Sequence, residues 1–226
     1  ATPTAPANAT PENQKAPAAQ AASKEPNYVE GLMVFFVIGG TAGGIGVIIM
    51  AQGSILDEKK SGTLAWVMSK PVSRTAFFVS KLLANGIAVL AIMVVLQGAV
   101  AFVQISAAKQ ALLPIIPFAG AVLLMGLYIM FLFTLTLMLG VLSDKRGAAI
   151  GIPIALSFSF QFLASLGLAE FIPYPLIAPT GTNDLSLAVM LVNQQPLPTI
   201  LPIVSTIVWI ALFVAVALWR FERVEF

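Results

Sequence analysis

Few residues in this chain could do chemistry, and most of those fail the wider requirements of their motifs. The 226-residue sequence contains no histidine and no cysteine. That excludes disulfide frameworks, zinc fingers, Fe–S clusters and His-dependent catalytic triads. Ser106-Ala107-Ala108-Lys109 has the Ser-x-x-Lys spacing of penicillin-binding enzymes, but the companion Ser-Asp-Asn and Lys-Thr-Gly motifs are missing. A lysine snorkelling at the outer end of a membrane span accounts for it more simply. No Gly-x-Ser-x-Gly nucleophile elbow occurs. The glycine-rich run Gly39 to Gly46 is not followed by Lys-Ser/Thr, so it is no phosphate loop. The chain therefore has no Walker-type ATPase of its own, no resident cofactor and no visible metal site. What remains is one charged segment, Ser54 to Lys81, with the sequence SILDEKKSGTLAWVMSKPVSRTAFFVSK.

The elements that must position that segment follow from composition. The chain is 58% hydrophobic and 10% charged, against about 25% charged in an ordinary soluble domain. Its net charge of +2 is too small to suggest nucleic acid as a partner. No charge lies between Glu30 and Asp57, Lys81 and Lys109, Lys109 and Asp144, Arg146 and Glu170, or Asp184 and Arg220. A membrane-crossing helix needs about 20 mostly apolar residues, and every gap meets that length. Five spans are expected, near 32–52, 82–104, 118–142, 148–168 and 197–218. The fold class is an all-α polytopic membrane helix bundle.

Lys59, Lys60, Lys70, Arg74, Lys81, Lys145, Arg146, Arg220 and Arg223 fall in one set of connections; Lys15, Lys24 and Lys109 fall in the other. The positive-inside rule puts the first set in the cytoplasm. The N-terminus is then outside and the C-terminus inside, as an odd number of spans requires. Residues 1–30 are Ala/Pro-rich with few large apolar side chains, and they read as a flexible extracytoplasmic segment ahead of a transmembrane domain, 31–226. They lack the basic start and apolar run of a signal peptide. The chain does not begin with Met, and an upstream piece is expected.

Within the charged segment, Ser54 and Asp57 have capping-box spacing, so a short helix is expected to start at Ser54. Asp57 and Glu58 then fall in its first turn, where the dipole favours acids. Ser61-Gly62 interrupts, Thr63 can cap a second short helix, and Pro71 ends it. Ser73 can cap the next span. Taken by itself the segment could be an ordinary positive-inside loop with Trp66 as an interfacial anchor.

The string as a whole, however, resembles the signature of the type-2 ABC exporter permeases. Glu58-Lys59-Lys60-Ser61-Gly62-Thr63-Leu64, Ser69-Lys70-Pro71-Val72-Ser73-Arg74 and Lys81-Leu82-Leu83-Ala84-Asn85 match it in order and spacing, over about 30 residues. Elsewhere the resemblance is one of hydropathy and span order. The family has six spans with the motif between the second and third. Here it lies between the first and second, so the missing element is the first span.

The resemblance implies a subunit that pairs with a copy of itself or a second permease and docks on a separate cytoplasmic ATPase. The ATPase would hold ATP and Mg. The loop 54–75 would carry the coupling helix, Asp57 to Lys70, with Asp57, Glu58, Lys59, Lys60, Gly62, Thr63, Pro71, Arg74 and Lys81 as ATPase-coupling positions. The implied activity is movement of a substrate across the cytoplasmic membrane, in the direction of export. The alternative is a non-transporting assembly or regulatory protein docking a soluble partner through the same loop.

Other signals are structural. Gly39/Gly43 and Gly40/Gly44 are small-xxx-small pairs for helix packing, within the subunit or at a dimer seam, and Gly147/Gly151 repeats the spacing. Span centres hold neutral polar groups (Gln97, Thr134, Thr136, Ser157, Ser159, Gln161), which argues against an ion-driven mechanism; the hydroxyls among them can bond back to their own helix. A short interfacial or re-entrant helix is expected over 184–194, capped by Asn183 or Asp184. Pro153 and Pro202 would kink or start helices.

Overall fold

The computed structural model describes residues 28–61, 73–143, 145–181 and 184–223. Helix α1 is one rod made of Tyr28–Val34, a π-helical stretch Phe35–Gly39, and Gly40–Ser61. Helix α2 likewise joins Arg74–Val89, π-helical Leu90–Leu96 and Gln97–Lys109. Helix α3 is Ile115–Leu142, and α4 is Arg146–Leu163 with a π-helical continuation Ala164–Leu168. Two 3-10 turns, Ala169–Phe171 and Tyr174–Leu176, lead to the short α5, Leu187–Val192, and then to α6, Leu201–Arg223. The described residues form no strand, and five helical runs are long and apolar enough to cross a membrane. The fold is the all-α polytopic bundle expected from the charge gaps.

The most apolar helix takes the centre. Helix α3 is hydrophobic all round, is the most buried of the five spans, and packs against α1, α4, α5 and α6. Met125, Ile129, Leu132 and Phe133 on it are fully buried. Aromatic rings tie the outer helices to it. Phe118 meets Phe35, Phe36 and Phe102, while Phe131 meets Phe160 and Phe213 edge-on at 6.0 and 5.3 Å. In lipid there is no hydrophobic force between helices, so this interdigitation and close backbone approach hold the bundle.

Length decides what leaves the bilayer. The run Thr75–Lys109 in α2 has 35 residues, about 50 Å at ~1.5 Å per residue, against a hydrocarbon core about 30 Å thick. Gly40–Ser61 of α1 runs out beside it without a break. This corrects the expected helix start at Ser54, which lies in the interior of that helix. Extending a formed helix adds one hydrogen bond per residue fixed, whereas a new start pays nucleation again. Helix α5 begins later than expected too. Its N-cap is Ser186, whose side chain accepts from the Val189 N–H at 3.3 Å, not Asp184; Asn183 lies outside the described residues.

Prolines behave as their positions dictate. Pro202 occupies the first turn of α6, where a missing N–H costs nothing. Pro153 is inside α4, and the Ser157 hydroxyl donates to the Pro153 carbonyl at 2.8 Å. Gly167 then adopts φ +83°, ending the regular course of α4.

Candidate functional site

The charged end of the bundle is assembled from the exit of α1, the entry of α2 and the end of α6. Asp57, Glu58, Lys59 and Lys60 lie on the last turns of α1, carried out on the same rigid helix that crosses the apolar region. Gly62, Thr63 and Pro71 lie outside the described residues. The chain is described again from Ser73, the N-cap of α2, whose hydroxyl accepts from the Ala76 N–H at 3.4 Å. Arg74 is the first residue of α2. Lys81, two turns further, lies 5.8 Å from the Phe77 ring centre.

At this end α2 is fastened to α6. The Thr75 hydroxyl donates to the Glu222 carboxylate at 2.8 Å. Phe221, 1% exposed, packs on Phe77 with nearly parallel rings at 6.2 Å and on Phe78 at 5.6 Å. Arg223 stacks over Trp219 at 4.3 Å, a cation–π contact. The sequence offered no signal for this joint: Thr75 and Glu222 are 147 positions apart.

At mid-depth, polar groups mostly bond to their own helices. Thr134 donates to the carbonyls of Met130 and Phe131, Thr136 to Leu132, and Ser159 to Ala155. The Tyr128 hydroxyl pairs with Ser157 across α3 and α4. Gln97 is different, because it reaches another helix. A Cβ built on Gly39 would lie 2.9 Å from Gln97 Nε2, and one on Gly43 would lie 3.6 Å from its Oε1. Gly39 closes the π-helical stretch of α1 and Gln97 follows that of α2, so two irregular stretches meet where the Gln97 amide packs on the glycines. π-Turns within α-helices often mark functional sites. Gly40 and Gly44 face the other way, toward Ile177 and toward Leu132 and Tyr128. All four glycines thus meet side chains of this same chain.

The opposite end holds Tyr28, Lys109 and the turns around α5. The Tyr28 hydroxyl donates to Asn193 Oδ1 at 3.2 Å, and the Lys109 ammonium stands 4.5 Å over the Tyr28 ring. Ser106, of the Ser-x-x-Lys match, accepts from the Leu113 N–H at 3.2 Å, so its hydroxyl shapes the turn after α2. Burial raises the Tyr174 pKa above the usual tyrosine value. Helix α6 also reaches these turns: the Ser205 hydroxyl donates to the Glu170 carbonyl at 2.9 Å, and Trp209 Nε1 donates to the Phe171 carbonyl at 3.0 Å.

Among the described residues no group of three or more His, Cys, Asp or Glu side chains could hold a metal ion. The arrangement offers long helices, a charged stretch on the last turns of α1 and a side-chain joint between α2 and α6. Compared with models of known families, the chain is matched over residues 4–226 by the model described as ABC-2 family transporter protein. No curated protein matches it.

Proposed function

Since the chain belongs to the ABC-2 transporter family, a family of membrane permease subunits, we propose that it exports a substrate across the cytoplasmic membrane with work supplied by a separate ABC ATPase subunit. The observation that carries this reading is the unbroken course of α1 from the apolar region to Ser61. It makes Asp57, Glu58, Lys59 and Lys60 part of a stiff lever, so a push on them moves the membrane helix itself. Gly62, Thr63, Pro71, Arg74 and Lys81 complete the proposed ATPase contact on the return to α2. ATP and Mg belong to the partner. Coupling of this kind needs an element with two positions that both the ATPase and the transport path bias.

The reading places the charged end in the cytoplasm, with residues 1–30 outside and the C-terminus inside, in line with the positive-inside rule. It also pairs the chain with a second permease, a copy of itself or a homologue. Helix α4 supports that pairing. It is the least buried of the five spans, and Gly147, Gly151, Ala155, Ser159 and Gln161 on it are exposed. A glutamine amide left facing hydrocarbon is costly, so a covering protein surface is favoured there.

Affinity purification of the tagged chain from its native membranes tests the reading. A Walker-type ATPase subunit is expected to come down with it. Alanine at Glu58, Lys59 and Lys60 together should cut that recovery at least tenfold while the permease still inserts. Recovery of a soluble partner with no ATPase, or recovery unchanged by the triple substitution, would overturn it.

A further inference from the structure

Helix α6 is bonded to both ends of the bundle through separate sets of side chains. At the charged end it holds the entry of α2, by the 2.8 Å Thr75–Glu222 hydrogen bond and the packing of Phe77 and Phe78 on Phe221. At the opposite end Ser205 and Trp209 hold the carbonyls of Glu170 and Phe171, in the 3-10 turn Ala169–Phe171. Between these joints α6 contains no glycine and no π-helical stretch, whereas α1, α2 and α4 each contain one. Its 23 residues span about 34 Å at ~1.5 Å per residue. A helix without breaks, and without proline beyond its first turn, has none of the usual causes of a kink.

The far joint is placed to move. The turn Ala169–Phe171 is separated from α4 by Gly167 at φ +83°, with open space around that glycine. A left-handed glycine lets the backbone change direction at little steric cost. The turn is therefore tied to α6 by two hydrogen bonds and to α4 through a swivel, so displacement of α6 shifts the turn without needing to shift α4.

We propose that α6 is the strut that carries displacement of the coupling loop to the turn Ala169–Phe171 at the opposite membrane face. Glu222 and Phe221 are the positioning residues that receive the movement, and Ser205 and Trp209 are those that deliver it. This rests on the reading of the loop as the ATPase contact. It adds that the return limb of the loop, from Ser73 onward, drives the last span directly.

The chain has no cysteine, so a Leu168→Cys substitution places one thiol in the permease, beside Gly167 at a position 42% exposed. In the complete complex, reconstituted in nanodiscs with its ATPase, its reaction rate with a membrane-impermeant maleimide is measured without nucleotide and with ATP plus vanadate. The rates are expected to differ several-fold. In Glu222→Leu/Phe221→Ala, and separately in Ser205→Ala/Trp209→Phe, the ratio should collapse toward one while ATP hydrolysis continues. Thr75→Val removes one donor with little change of volume, and Trp209→Phe removes one while keeping an aromatic ring; each alone should halve the response or more, and they serve where Phe221→Ala does not assemble. A ratio unchanged in all these variants overturns the strut. An absent nucleotide response in the parent Leu168→Cys complex overturns the coupling reading beneath it.

Discussion

Gln97 of α2 lies against Gly39 of α1 so closely that a Cβ on the glycine would stand 2.9 Å from its Nε2. The contact is made by the far end of a flexible, partly exposed side chain. Gly44 is tighter, with Leu132 Cδ1 at 2.6 Å, and Leu132 is fully buried within α3. The two glycines should therefore respond differently to one added methyl. Gly39→Ala is expected to lower the melting temperature in detergent slightly, as the amide rotates away. Gly44→Ala has to move a core leucine and should cost about 1–3 kcal/mol, the usual range for overpacking. Equal effects in a thermal unfolding assay would mean that Leu132 can yield as readily as Gln97.

Gly147 and Gly151 carry the opposite prediction. No atom lies within 4 Å of a Cβ built on either, so leucine at both positions should leave the folding of a single chain intact. If a second permease packs on this face of α4, the double variant should lose the cross-linked dimer in native membranes while its melting temperature as a monomer stays within about a degree. A dimer that persists unchanged places the seam elsewhere.

Ser186 is expected to behave as a helix cap. It is 1% exposed and accepts from the Val189 N–H. Ser186→Ala should cost about 1 kcal/mol, the usual loss for a cap, and somewhat more if the freed N–H stays buried without a partner. Asp184→Ala, two positions earlier in the sequence, should be close to neutral. Unfolding of both variants side by side decides it.

Which of these features could be read in advance depends on how local their causes are. The five spans were legible because their signal is the absence of charge over about 20 residues, which neighbours cannot override. The cap of α5 was not, since Asn183, Asp184 and Ser186 all carry capping side chains; the choice falls to the register that buries Leu187, Ala188, Val189 and Val192. The Thr75–Glu222 joint was invisible for a different reason: each residue is an ordinary polar group at a span end, and only the crossing of α2 and α6 brings them together. Gln97 stood out as polar at mid-span, but its partner is a pair of glycines with no chemistry to announce the match.

Ser54 and Ser73 make the last comparison, because by sequence each opens a helix. Ser73 does: its backbone is extended at φ −64°, ψ 129°, and its side chain accepts from Ala76. Ser54 does not, since it lies inside Gly40–Ser61. Ser73→Ala should therefore lose a cap and destabilise the entry of α2 by about 1 kcal/mol. Ser54→Ala replaces a residue of moderate helix propensity with the best one and should be neutral or stabilising by a few tenths of a kcal/mol. Amide hydrogen exchange in α1 and α2 separates the two effects. Faster exchange over residues 76–78 in Ser73→Ala is expected, with unchanged or slower exchange over 54–61 in Ser54→Ala. Proline at position 54 should break the lever, at a cost of about 3 kcal/mol or more in the helix interior. That variant should still insert and still recover its ATPase, and the nucleotide-driven change at Leu168→Cys should persist, because it travels through α2 and α6. Were the change to vanish with α1 broken, the push would have to travel through α1 and not through the joint of α2 and α6.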